Sequence, residues 1–576
     1  MDFQRTLLIG AIALLSFMLL TEWVAFKDAK TTAAQPTASR LISSEPDGLP
    51  AANSELPLAP SVTAPSTGDE DLPQAPEAIA DQQTAAPVVT EGGTGSDIIT
   101  VHTDVLQVAI DLQGGDIVEL ALPEHLEDID TPDQPFVLLE QNERRIYVAQ
   151  SGLIGPNGID SESRARFTAT QSRYELQPDA DELQVDLVWQ NAQGLSVTKR
   201  FTLRRGDYLM TVSYIVDNQT GERWQGNLFG QIKRDSSKPS TVDSSGMGLQ
   251  PFLGAAITQP EERFTKFTFK DMQEEPFREQ LPGGWIAMIQ HYFLSAWIPA
   301  ADQSHTYSTR VTASGFNIAG FTSPALVVDS GEQGAVSAGF YAGPKDQYRL
   351  AEISPYLDLS VDYGWLWWIA QPLFWLLVKI HGLVGNWGVA IILLTVLIKT
   401  VFFKLSATSY RSMANMRRVA PKMQDIREQY AEDKAKQSQA MMELYRKEKI
   451  NPMGGCLPVL VQMPVFISLY WVLMESVELR HSPFFLWIED LSVMDPYFVL
   501  PLLMGASMWF MQKLNPPPPD PMQAKIMQWL PVIFTFFFLW FPAGLVLYWV
   551  VNNLLSMAQQ YVITRQIEKS DAKVKA

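Results

Sequence analysis

The chain lacks most of what marks a disulfide-held, metal-dependent or nucleic-acid-binding protein. A single cysteine, Cys456, in 576 residues excludes any disulfide within the chain. A domain outside the cytoplasm must then be held by its own apolar core, which about 250 residues can supply. Cys456 also lies too far from the N-terminus to be a lipoprotein acylation site. The histidines, at 102, 125, 291, 305, 381 and 481, show no ligand spacing, so neither a metal nor another cofactor is expected. The net charge of −19 leaves no domain-wide basic footprint, which excludes nucleic acid as the main ligand. No internal repeat is visible, and repeats are the usual mark of small-solute transporters.

What is present falls into two unlike halves. Residues 27–360 hold 23 Lys+Arg against 46 Asp+Glu, whereas the remainder holds 21 against 17. That split suits an acidic domain on the outer face of a membrane and basic loops on the inner face. Residues 1–26 carry Arg5 and then the 20-residue stretch LLIGAIALLSFMLLTEWVAF, with no clean small-x-small cleavage site. They read as an uncleaved transmembrane anchor with its N-terminus inside. Residues 27–95 hold nine prolines amid Ala, Ser, Thr and Asp, a composition that predicts a disordered periplasmic linker. From 96 to 360 short alternating runs are punctuated by turn clusters such as Gln113-Gly114-Gly115 and Arg205-Gly206-Asp207. This pattern predicts a large antiparallel β-sandwich. Carboxylates such as Asp179, Asp181 and Glu182 read as solvated surface rather than a glycan-cleaving pair, so no enzyme is expected.

The second half is apolar. Residues 361–385 carry four tryptophans and a central Pro372, and they are long enough to span a bilayer. Were they to span, the loop 404–449, with 11 Lys+Arg against 6 acids, would fall outside. An interfacial amphipathic helix avoids that conflict. Residues 386–565 then read as a five-span core. The first span covers 387–405, and no glycine follows Gly388 until Gly454, so helix is expected to run on into the cytosol and turn near Glu432-Asp433. The resulting hairpin, 406–450, would close on Met413, Met416, Ala420 and Met423 against Met441, Met442 and Leu444. Asn451-Pro452 ends it, a span with Gln462 follows, and 478–495 form an outer loop. Residues 496–511 return inward, and the apolar block 526–557 is too long for one crossing unless split at Pro542-Ala543-Gly544. A short basic cytoplasmic tail, 566–576, ends the chain. The expected class is therefore a polytopic α-helical membrane protein, six spans with both ends inside, bearing a periplasmic β-sandwich.

Lys399 stands out within the first of these spans. A lysine at mid-bilayer costs about 2.5–3.5 kcal/mol, so one that is kept usually has a use. Its stem could instead snorkel to the inner headgroups. Thr395 lies one turn earlier, Gln462 sits on a second span, and Asn552 with Asn553 on the last. Polar side chains on several spans tend to face one shared interior.

Asn451-Pro452-Met453-Gly454-Gly455-Cys456, Gln462-Met463-Pro464 and Phe541-Pro542-Ala543-Gly544-Leu545 resemble the YidC family of membrane protein insertases over about residues 360–565. The anchor, linker and acidic β-domain resemble the family's Gram-negative form in architecture. The resemblance implies an inner-membrane insertase and chaperone with a polar groove open to cytosol and lipid, working alone or with the Sec translocon. Its implied partners are nascent inner-membrane proteins, the ribosome and targeting machinery, and the lipid bilayer. The family's groove cation, usually arginine, falls on Lys399, which keeps the charge but not the planar fork. Thr395, Gln462 and Asn552 fall at groove-lining positions. The hairpin matches the region that receives large partners, with Arg417, Arg418, Lys422 and Arg427 as its expected contacts. A small-solute transporter using Lys399 as an anion site stays as the alternative.

Overall fold

In the strand Leu195–Arg204 every second side chain is buried, from Leu195 to Leu203, and its partner Leu209–Asn218 buries alternate residues from Met210 to Asn218. A pleated strand with one face on a core produces this period of two. A computed structural model describes residues 71–73, 97–239, 251–448, 457–514 and 521–575. The expected anchor, most of the linker, the motif 451–456 and the proline turn at 515–520 lie outside these residues.

Among the described residues, nineteen strands from Ile98–His102 to Glu332–Pro344 form a ten-stranded and a nine-stranded sheet. All pairings are antiparallel except that of Ile98–His102 with Arg173–Glu175. The sandwich expected for 96–360 is therefore what folds. Side chains from both sheets, among them Phe136, Tyr147, Phe201, Tyr214 and Trp297, fill a shared core. Asp179, Asp181 and Glu182 are exposed.

One buried polar cluster sits inside that core. Lys199 Nζ donates to the carbonyls of Gly114 at 3.0 Å and Ser151 at 3.2 Å, joining strands of different sheets. Arg164 donates to the same two carbonyls and pairs with Asp116 and Asp160. Gly114 has φ of 79°, and a Cβ there would come within 2.4 Å of the Arg164 guanidinium, so the turn needs glycine twice over.

The helical half begins with α1 (Trp367–Val384) and α2 (Trp387–Val401), followed by α3 (Phe403–Gln429) and α4 (Lys434–Lys447). Then come α5 (Leu457–Glu475), α6 (Val499–Leu514), α7 (Pro521–Phe537) and α8 (Ala543–Lys575). Helix α8 packs on α2, α3 and α6, while α1 packs on α2 and α5. By length and hydropathy, one described helix, Gly364–Val384, could cross a membrane alone. Trp387–Val401 and Phe403–Met416 pass together, bent by 67°, and Val461–Glu475 and Lys525–Trp540 are shorter apolar helices. Large apolar side chains such as Leu397, Leu502, Phe510, Trp529 and Phe536 point outward, which suits lipid better than water.

One expectation needs correction. Helix does not run unbroken from the first span into the hairpin: it breaks at Phe402, whose φ and ψ are −87° and 8°. The Thr400 hydroxyl donates back to Val396 O at 2.8 Å, a contact that favours bending. Helix α8 runs on to Lys575, so the backbone of 566–575 is helical. The split of the last apolar block falls at Phe541-Pro542, where the outer loop braces it. Ala543 N donates to Val493 O at 2.7 Å and Gly544 N to Leu491 O at 2.9 Å.

The β-domain seats on the outer end of α5. Lys345 pairs with Glu475 at 2.6 Å, both side chains 2% exposed. His291 Nε2 lies 2.8 Å from Met474 O, and Arg480 donates to Glu127 O at 3.0 Å. Val477 belongs to the β-domain's own core.

Candidate functional site

Three helices bring their polar side chains to one place. Lys399, in the last turn of α2, donates from Nζ to Ser556 Oγ on α8 at 2.8 Å and to Gln462 Oε1 on α5 at 3.4 Å. Gln462 Nε2 donates to Asn552 Oδ1 at 2.6 Å, and Ser556 Oγ donates to Asn552 O at 2.7 Å. The ring of contacts holds the ammonium with neutral partners. Among the described residues no carboxylate lies within ion-pair distance of it.

These four residues line a cavity of about 370 Å³, with Ser409 and Tyr410 of α3 beside them. The bend at Phe402 is what turns the start of α3 back over this space. The same cavity is lined by Met413, Met463, Met508, Met511 and Met527. Unbranched, polarisable methionines can reshape around varied apolar surfaces. The cavity thus joins a fixed positive charge and amide groups to an adaptable apolar wall.

Thr395 is elsewhere. It is 1% exposed, does not line the cavity, and its hydroxyl donates to Ile391 O at 2.7 Å within its own helix. One turn of helix separates it from Lys399, but the hydroxyl is short and satisfied locally. Asn553 also borders the cavity, and its amide donates to Ser507 Oγ on α6 at 3.0 Å.

The hairpin closes on Val419 and Met423 packed against Met441, Leu444 and Tyr445. Arg418 and Lys422 lie exposed on α3 and share Glu448, at 3.9 and 2.7 Å. Arg427 is half-buried, and its carbonyl accepts from Gln437. Arg417 is placed on α3 by its backbone alone. Among the described residues, no cluster of three or more His, Cys, Asp or Glu could hold a metal.

Ser556 does not stand out in the sequence, although it lies four residues after Asn552 and so on the same helical face. Serine in an apolar helix is common, and that ordinariness hid it.

Residues 98–376 match the YidC periplasmic domain, and residues 379–570 match the family described as 60Kd inner membrane protein. The membrane protein insertase YidC of Cellvibrio japonicus is 52% identical over 575 residues, 100% of each chain. That of Stutzerimonas stutzeri is 52% identical over 569 residues, 99% of each chain. The chain belongs to the YidC family. Within this YidC family member the β-sandwich is the periplasmic domain, and the cavity lies in the inner-membrane portion. A crystal structure of an active YidC insertase with its first transmembrane domain resolved is also similar, at 19% identity and a TM-score of 0.37, covering 81% of this chain and 93% of that one.

Proposed function

We propose that this protein inserts and helps fold inner-membrane proteins, with the cavity at Lys399 serving as a polar groove open to cytosol and lipid. Six crossings with both ends inside would place the hairpin in the cytosol and the β-domain in the periplasm. Helix α1 would lie along the outer interface, with Trp367, Trp368 and Trp375 exposed and Ala370, Phe374 and Leu377 buried. The ribosome and targeting machinery would meet the hairpin through Arg417, Arg418, Lys422 and Arg427, and the Sec translocon would work beside the protein on larger substrates.

The observation that carries this reading is the meeting of Lys399, Gln462, Asn552 and Ser556 in one cavity. A substrate's polar flank would enter there while its apolar segment slides along the outer surface. Hydration partway into the bilayer shortens the apolar distance that flank must cross. Burying the substrate's apolar helix, at about 25 cal/mol per Å², drives the step without a nucleotide or other cofactor. An ammonium held only by neutral groups stays available to an acidic flank.

The test uses the protein reconstituted in liposomes with small single-span substrates. Lys399→Ala should lower insertion of acidic-flanked substrates by about tenfold, the worth of one charge-assisted hydrogen bond, and that of neutral-flanked ones less. Lys399→Arg should retain activity. Equal insertion of every substrate by the alanine variant would return Lys399 to the role of a snorkelling residue.

A further inference from the structure

A short piece of the linker rests on the β-domain. The carbonyl of Asp71 accepts from Gln231 Nε2 at 2.8 Å and from Arg310 Nη2 at 2.7 Å, and its carboxylate pairs with Lys233. The cradle spans strands of the ten-stranded sheet: Gln231 and Lys233 lie on Trp224–Arg234, and Arg310 on Ser304–Val311. The strand between them, Asn317–Val328, places Gly320 opposite Gln231, where a Cβ would come within 2.5 Å of the Gln231 Cβ. The missing side chain leaves the glutamine its place.

The cradle is built rather than incidental. Gln231 is 2% exposed, and its amide donates both to the linker and to Gln150 Oε1 at 3.0 Å. Its own Oε1 accepts from Arg310 at 3.2 Å, and the Lys233 ammonium lies 4.5 Å from the centre of the Phe316 ring. Gln150 in turn donates to Asp116, a member of the buried Lys199–Arg164 cluster. Without the linker, a buried amide and a largely buried guanidinium would each lose an acceptor, so the site calls for an occupant.

We propose that Gln231, Lys233 and Arg310 form a docking site for an acidic peptide, and that its resident ligand is Asp71-Leu72-Pro73 of this chain. The carboxylate is read by Lys233 and the backbone by Gln231 and Arg310. Asp69 and Glu70 precede Asp71 in the sequence, so the segment is acidic. The tether through residues 74–96 holds the segment at about millimolar local concentration, so even a weak site stays filled. Docking ties the chain to the β-domain at Asp71, ahead of strand Ile98–His102.

A glutamate-specific protease tests this on the full chain in detergent, because the bond after Glu70 abuts the docked residue. Cleavage there should be at least about tenfold slower than at the same bond in a free peptide of residues 65–76, while cleavage after Glu55 and Glu91 stays fast. Asp71→Lys, which alters only the linker, and Lys233→Asp should each remove the protection. The swap Asp71→Lys with Lys233→Asp should restore it. Cleavage after Glu70 at the free-peptide rate, or protection that persists in Asp71→Lys, would overturn the proposal.

Discussion

Lys199 and Lys399 are both lysines kept away from bulk water, and their surroundings set them different tasks. Lys199 is fully buried between two sheets, and burial pushes its ammonium down to about 7, against the pull of Asp116. In the unfolded chain a lysine holds its proton to about pH 10.4, so between the two values the unfolded state binds more protons. Stability of the β-domain should therefore rise with pH above about 7, with the full burial penalty present below that. Thermal unfolding of the protein from about pH 6 to about pH 9 should show this slope, and Lys199→Met should flatten it. The methionine variant should fold, because Arg164 still donates to Gly114 O and Ser151 O. An unchanged slope in that variant would assign the effect to other groups. Lys399, by contrast, meets a hydroxyl and an amide oxygen at hydrogen-bond distance, and among the described residues no carboxylate pairs with it.

At the scale of the element, the hairpin is the least secured piece. Helices α3 and α4 meet through a narrow seam in which only Val419 and Met423 are buried, and the remaining contacts are partly exposed. Truncating a buried methionine in such a seam costs about 2 kcal/mol or more, and the loss should fall on the shorter helix. Met423→Ala should quicken hydrogen exchange across Lys434–Lys447 at least about tenfold, leaving α2 and α8 unchanged. Exchange that stays at the parent rate would mean the seam does not hold α4 in place. The bend at Phe402 belongs to this scale too. It lets α3 supply Ser409 and Tyr410 to the cavity, so a straight helix would leave the polar wall without that cover.

Across the whole molecule, the two halves are joined by charge in a dry place. Lys345 directly follows the last strand of the sandwich and Glu475 ends α5, the helix that also carries Gln462. Removing one partner of such a pair strands the other, at a cost of about 3–5 kcal/mol, whereas replacing both is often close to neutral. Glu475→Gln should loosen the seat of the β-domain, read as faster proteolysis at the junction. Adding Lys345→Met should recover most of the loss. A single variant as resistant as the parent would show that the pair is not what fixes the seat.

Much of this protein follows from residue order alone. The acidic and apolar halves, the alternation that builds the sandwich and the stop at Pro542 are local patterns, visible within a few residues of one another. Lys399, Gln462 and Asn552 could be picked out because a polar group in an apolar run is conspicuous wherever it lies. What packing alone decided are the pairings between distant residues. Ser556 reaches Lys399 across 157 positions, Lys345 meets Glu475 across 130, and Asp71 finds Gln231 across 160. Packing likewise turned Thr395 into its own helix and bent the chain at Phe402. Periodicity says which face of a helix or strand is apolar, but which polar atoms on two such faces come within 3 Å depends on crossing angles and on how the side chains between them interlock.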